Sequence, residues 1–551
     1  MFKRIKESIG NMFSNFFTMI TSGISNYFGT KIDSVKNFIL NKIYQNKFLL
    51  ISILISIILF FYFTRAFFYE NVNNLRIHSP EIISIIFLTL VFISALRFLK
   101  NSESKMKNSF FYFSMIVSIL GIVFVMSSFN INKENNPFEY LNKSITFKQI
   151  EVKELEYLPL STKDRIYPYQ TILNIAKDKI TSSEYTVENF ELIYDIKKDT
   201  LQWNAEKSPL GKTNKLVKNV DGIVTINASS DQIEKNEYNT NFHYGRKLTW
   251  FNSLDYILPK HLNIFDYFDK TLDDNVKLIQ MENGEWVQVV AVINWDGIWP
   301  AVYPKFHGVY VIHEINEKYG SVNFLNTDFK VPVSNPEIEF LTPEDIKKTS
   351  YLQNQNLVPE EITNHYVSSW NFKNGIMNYL FTKKDLTKVT AIEEELNKQP
   401  FTIWFDDVKS IDNNETTNGI FQFYALEPMG TNKGLSNILL FDTHGYNEKV
   451  IVYNYDFSKK KLSLLGPQRI SETIKDSDKH IDWSSFIIAE SKPFIKIVNN
   501  ERKFFYINSV ISKKSASAKP TIVIADPDKL NVKWFNGNNI DKQIEKYLEK
   551  K

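Results

Sequence analysis

The sequence predicts an α-helical membrane anchor of three transmembrane helices, followed by a large α+β, mainly antiparallel-β region built of repeated helix-and-sheet units outside the membrane. Three observations predict it: three long apolar runs near the N-terminus, an uneven spread of Lys and Arg in the loops around them, and four copies of one strand layout in the rest of the 551 residues.

The apolar runs cover residues 48–64, 81–98 (apolar from Ile82) and 110–129. A helix crosses the hydrocarbon with roughly 20 apolar residues, about 17 at the least. The first and third runs reach that length; the second is short, which leaves a buried core helix or a re-entrant segment as its alternative. Orientation follows from basic residues near the spans. Lys3, Arg4, Lys6, Lys31, Lys36, Lys42 and Lys47 precede the first run, against Glu7 and Asp33, and Arg97, Lys100, Lys105 and Lys107 surround the second connection, against Glu103. In the first connection Arg65 and Arg76 are balanced by Glu70 and Glu81. The N-terminus and second loop are therefore expected inside, and the long region after Phe129 outside. Apart from Arg97 near an end, the spans hold no ionisable residue that would mark a transport path. No small-residue cleavage site follows an early apolar core, so the first span itself is expected to direct export.

Before the spans, Phe2, Ile5, Ile9, Phe13, Phe16 and Phe17 recur at helical spacing, as do Ile32, Val35, Phe38, Ile39 and Ile43. Residues 1–46 thus read as basic amphipathic helix that lies in the inner interface or packs on the span ends. The spans occupy 47–129, and a linker with the first strands follows over 130–165. Two outer domains are expected at 166–340 and 341–551, each with two copies of the repeat.

Each copy has a strand, a lysine-bearing loop, a second strand ending in an Asp, Asn or Glu turn, and a short third strand; the copies cover 201–238, 286–325, 419–456 and 503–536. Their middle strands alternate β-branched or aromatic residues, as a half-buried antiparallel strand requires. Helices are expected at 168–180, where Ile172, Ile175, Ala176 and Ile180 share a face behind Pro168, and at 386–396 and 540–548.

A helix with ILNIAKDKI, followed by stretches such as GIVTINASSDQIE and IVIADPDKLNVKWF, resembles the PepSY type of extracytoplasmic module, a helix packed on an antiparallel sheet. Copy two has Gly320 near the place of that family's post-turn glycine; the other three lack one. The resemblance reaches parts of residues 165–545. It implies a non-catalytic, protein-facing module outside the membrane.

Chemistry-bearing motifs are sparse. A net charge of +3 gives no reason to expect nucleic acid, and the absence of cysteine removes disulfides, thiolate metal sites and a cysteine nucleophile. LGKT at 210–213 lacks the earlier glycine of a phosphate loop, since Glu206 stands there, and reads as a solvated turn. Asp476, Asp478, His480 and Asp482 would share one face of an extended strand, but an EF-hand count puts Ile481 and Ile487 at its sixth and twelfth positions, so a polar loop is the plainer reading. His307 and His313, six residues apart, lie about 20 Å apart on a strand and cannot share an ion. His444 is an ordinary turn histidine, since no nucleophile elbow accompanies it. No cofactor or metal is implied.

Residues 294–308 differ in kind, packing Trp295, Trp299, Tyr303 and Phe306 around two prolines in an expected inter-strand connection. These aromatics are the candidate partner-binding residues; large aromatics more often plug the edge of their own core. The function expected is a membrane-anchored envelope interaction or scaffold protein, its partners the lipid bilayer and another envelope protein or a second copy of itself. The alternative is an envelope hydrolase with its site in a cleft between the outer domains.

Overall fold

The computed structural model describes residues 147–152 and, with short internal breaks, 158–549. The amphipathic segment expected at 1–46 and the spans expected at 47–129 lie outside the described residues. Among those described, no helix is long and apolar enough to cross a membrane.

The described chain starts with strand β1 (Phe147–Val152) and helix α1 (Tyr169–Lys179). In the first sheet a short β2 (Tyr185–Val187) and β3 (Glu191–Asp195) both pair with β4 (Thr200–Pro209), which is followed by β5 (Ile223–Asn227) and β6 (Lys235–Tyr238), with α2 (Lys212–Val217) between β4 and β5. The second sheet runs β7 (Lys270–Gln280), β8 (Trp286–Asp296), β9 (Tyr303–His313) and then β12 (Ile338–Leu341). Between its last two strands the chain makes a separate hairpin, β10 (Tyr319–Phe324) with β11 (Thr327–Pro332).

Helices α3 (Pro343–Lys348) and α4 (Glu360–Trp370) lead to the third sheet. Here β13 (Thr387–Val389) and β14 (Phe401–Lys409) both pair with β15 (Thr416–Pro428), followed by β16 (Asn437–Asp442) and β17 (Val450–Tyr455), and β1 adds in parallel beside β17. After α5 (Pro467–Ser477) the fourth sheet runs β18 (Phe486–Val498), β19 (Glu501–Ser512), β20 (Thr521–Ala525) and β21 (Val532–Phe535), and α6 (Ile540–Glu549) ends the described chain.

The four sheets form a ring, which their apolar seams trace. Val220, Ile223, Leu278 and Trp286 join the first sheet to the second. Val289, Val311, Tyr424 and Leu439 join the second to the third, and Phe421, Ile438, Ile495 and Tyr506 the third to the fourth. Trp203, Val224, Phe505 and Ile522 close the fourth onto the first. The architecture is that of a four-bladed propeller, mainly antiparallel β with few helices.

The period-2 alternation of a strand explains how one sheet serves two seams. On β4, Leu201, Trp203 and Ala205 face the fourth sheet, while buried Gln202, Asn204 and Glu206 take the intervening positions. On β15, Phe421, Phe423 and Ala425 face the fourth sheet, and Tyr424 and Leu426 the second. The middle strands of the repeats, β5, β9, β16 and β20, are therefore mostly buried on both faces, not half-buried as their alternation suggests, because each sheet lies between two others.

Helix α1 packs Ile172, Ile175 and Ala176, and α6 its Ile540, Ile544 and Leu548, into the cluster that closes the ring. Both helices stand where helical spacing places them. The helix expected at 386–396 does not begin as one: residues 387–389 are strand β13, paired with residues 426–428. Asn371 holds this edge, accepting from the Thr387 N–H and donating to its carbonyl, both at 2.8 Å, so tertiary pairing overrides local spacing. Residues 390–398 lie outside the described residues.

Candidate functional site: an axial polar cavity

One strand of every sheet contributes to a cavity of about 340 Å³. Its walls include Glu191 and Leu192 from β3, Asn275 from β7, Thr402 from β14, and Ala489 and Glu490 from β18. Each of these strands pairs with a single neighbour, so the cavity borders an unpaired strand edge of all four sheets. Arg165, Tyr169 and Gln170 come from the start of α1 and the segment before it, and Asn356 and Glu360 from the start of α4 and the loop before it. The volume lies within the range of small-ligand pockets, roughly 300–1,000 Å³.

Charge in the cavity is organised in pairs. The buried Arg165 guanidinium forms an ion pair with Glu490 Oε1 and stands 5.2 Å from the centre of the Trp203 ring. Glu490 Oε2 accepts no hydrogen bond, and Lys492 Nζ lies 4.0 Å away. Across the cavity, Glu191 Oε2 is 4.0 Å from Lys277 Nζ, which also meets Asp273 at 3.6 Å. Burial pushes the Glu191 carboxyl up to about 7; Lys277 opposes that shift, while Asp273 and Glu360 add to it.

Tyr169 meets Trp203 edge to face at 6.0 Å between ring centres, and burial raises its hydroxyl above the usual range. Asn356 is buried and accepts from Gln422 Nε2 at 3.1 Å. Carboxylates, amides and aromatic surface thus dominate the lining. Among the described lining residues no histidine or serine stands beside a carboxylate, so a nucleophile with its base is not assembled there.

The aromatics expected to bind a partner lie elsewhere. Trp295 and Tyr303 are on strands β8 and β9, as is Phe306, not in a connection, because the hairpin arms extend to Asp296 and from Tyr303. All three are buried, and Trp295 and Phe306 belong to the seam between the second and third sheets. The Trp295 indole donates to Thr271 Oγ1 at 3.0 Å, and Phe306 packs against Gly445, where an added Cβ would come within 2.7 Å of the ring. Trp299 lies outside the described residues.

Other motifs resolve into local structure. Asp476 is in α5, Asp478 follows it and accepts from the His480 N–H at 2.9 Å, and Asp482 accepts from the Ser484 N–H and the Ser484 and Ser485 hydroxyls. The segment is a helix end and a turn, not an extended strand. Gly211 of LGKT, at φ 82°, precedes the six-residue α2. His444 is fully buried, its Nδ1 2.7 Å from Asp442 Oδ1, under Gly419, whose missing side chain leaves room for the ring. His307 takes the bulge position on β9, opposite the step from Val292 to Ile293.

Sequence reasoning missed the axial residues because they come from strands some three hundred positions apart and form no local motif. One signal was present: Glu490 interrupts the apolar run FIIAESKPFI, where a carboxylate needs a partner. A comparison of the chain with protein-family models gives no match, and a comparison with curated proteins gives none.

Proposed function

We propose that this chain is a membrane-anchored recognition protein of a cell envelope. The runs at 47–129 hold it in the bilayer, the N-terminus lies inside, and the ring of sheets stands outside and binds a protein partner. The observation that carries this reading is the axial cavity, which is polar, bounded by all four sheets and furnished for binding more than for nucleophilic chemistry. The stretches that resemble PepSY-type modules agree with it: they coincide with β5 and with β20 and β21, and the resemblance implies a non-catalytic, protein-facing role.

Protease added to intact cells or spheroplasts is expected to digest the ring, and removal of residues 130–551 to abolish cross-linking to a partner while leaving membrane insertion. Protection of the ring from external protease would overturn the reading.

A further inference from the structure

We infer that Lys277 and Asp273 condense into an intramolecular amide, a covalent staple that the folded chain builds on itself with Glu191 as the proton carrier. The inference goes beyond the recognition reading above and does not rest on it.

The three groups meet behind the cavity wall, where β7 packs beside β3. Lys277 and Asp273 are buried, and Lys277 Nζ stands 3.6 Å from Asp273 Oδ2 and 4.0 Å from Glu191 Oε2. A charge-assisted hydrogen bond between such groups closes to about 2.7–2.9 Å, so the amine faces two carboxyls without being held by either at that distance. Asp273 Oδ2 is buried and accepts no hydrogen bond, whereas Oδ1 accepts the Asn275 N–H at 3.3 Å. One oxygen can therefore leave, and the other has a backbone donor for developing negative charge. Residues four apart on a regular strand stand about 13 Å from each other. Here the bulge of β7 sets residues 273–275 against the single Ala291, which shortens that span, and the long lysine stem covers the rest.

Burial pushes the Glu191 carboxyl up to about 7, so near neutral pH it can both give and take a proton. In a low-dielectric site the Lys277 proton passes to Asp273 Oδ2, leaving a free amine beside a carboxylic acid. The nitrogen lone pair then forms a bond to Asp273 Cγ, and the carbonyl electron pair moves onto Oδ1. Protonated Glu191 gives its proton to the Oδ2 hydroxyl, which leaves as water when the Cγ–Oδ2 bond breaks. The Oδ1 carbonyl re-forms, and Glu191 recovers a proton from the nitrogen. An ammonium and a carboxylate thus become one amide and one water, with Glu191 unchanged. The water has an exit, since Glu191 and Asn275 both line the cavity. A chain without cysteine has no disulfide to brace it, and this amide needs no oxidant.

The test is mass spectrometry of the full chain, purified in detergent, denatured and digested with trypsin. The expected product is a peptide of residues 271–305, one water lighter than its sequence and uncleaved after Lys277, with fragment ions that place the link on Asp273. Lys277→Met keeps an unbranched apolar stem without the amine and is expected to give the full mass. Glu191→Gln keeps amine and carboxyl but carries no acidic proton, and is expected to lower the linked fraction at least about tenfold. Circular dichroism matching the parent separates that loss from unfolding, and the parent peptide decides the matter if a variant does not fold. A parent peptide of full mass cleaved after Lys277 overturns the inference. So does a missing water with cleavage after Lys277 retained, which marks a cyclic imide at an aspartate, and so does a link to Glu191 in place of Asp273. Full linkage in Glu191→Gln overturns the proton carrier.

Discussion

Between the first and second sheets the apolar contact is small: Val220, Ile223, Phe242, Leu248, Leu278 and Trp286. Next to it lies a buried polar group, in which Gln288 Nε2 donates to Glu206 Oε1 at 2.6 Å and to the Tyr244 carbonyl at 2.8 Å. Between the third and fourth sheets the proportions reverse. Phe405, Phe421, Phe423, Ile438, Ile495, Phe504 and Tyr506 form part of a long apolar wall. Its buried carboxylate, Glu427, accepts the Gln468 N–H at the start of α5, where the helix end favours negative charge. One seam gains from area removed from water; the other depends on polar register, and so on pH.

The largest effect that would break this contrast is a cavity in the apolar wall. Phe421 is fully buried between Phe405 and the His444 ring. Phe421→Ala is expected to destabilise by about 4 kcal/mol, in the upper part of the range for large-to-small core changes. Leu278→Ala in the smaller seam is expected to lose about 2.5 kcal/mol, near the lower end. Denaturant midpoints followed by tryptophan fluorescence report both. Equal losses would show that the seams do not differ.

The polar seam should show itself through pH. Burial pushes the Glu206 carboxyl up to about 7 from 4.5, against the hydrogen bond from Gln288 and the charge of Arg246. A folded-state value above the unfolded one means that the folded protein holds the proton more tightly. Stability is then full below pH 4.5, declines as pH rises towards 7, and stays low above it. Glu191 acts with the same sign over the same window. Glu206→Gln removes one of the two contributions and sets an amide donor near Gln288 Oε1, which is buried without a hydrogen bond. The variant is expected to be more stable than the parent above pH 7, by on the order of 2–3 kcal/mol, and equal to it in acid. Denaturation curves across that window measure it; parallel pH profiles would remove polar register as the distinction between the seams.

The same contrast shows what was legible in the sequence. The four copies correspond to four sheets because each copy carries the second to fourth strands of one, with the β10–β11 hairpin standing in place of β12 in the second copy. Two of the strands that border the cavity escaped notice: KTLDDNVKLIQ and FTIWFDDVK are broken by acids that serve bulges, ion pairs and hydrogen bonds instead of an apolar face. Each second strand also carries a buried amide, Asn204, Gln288, Gln422 or Asn508, which reads as a solvent-facing residue in isolation. Asn204 donates to the Leu278 carbonyl of the next sheet, and Gln422 to the Val358 carbonyl before α4. Their meaning depends on a neighbouring sheet, and the ring closes between β4 and β5 of the first sheet and β19 and β20 of the fourth, whose proximity no local pattern encodes.

The smallest expected effect lies off both seams, where the second sheet passes into α3. Thr342 follows β12 and its side chain accepts the Asp345 N–H at 3.4 Å, while Asp345 accepts the Thr342 N–H at 3.1 Å and hydroxyl at 2.6 Å. This is a reciprocal cap, with Pro343 pre-set for the first turn. Asp345 is partly exposed, and the hydrogen bonds it accepts from Thr342 hold its carboxyl below the usual range. Thr342→Ala leaves the Asp345 N–H to water and is expected to lose about 1 kcal/mol, while Thr342→Ser, which keeps the acceptor, loses much less. Because α3 places buried Ile346 against the second-to-third seam, a larger loss would mean that the cap also sets how those sheets meet, making that joint a third kind, governed by a helix end.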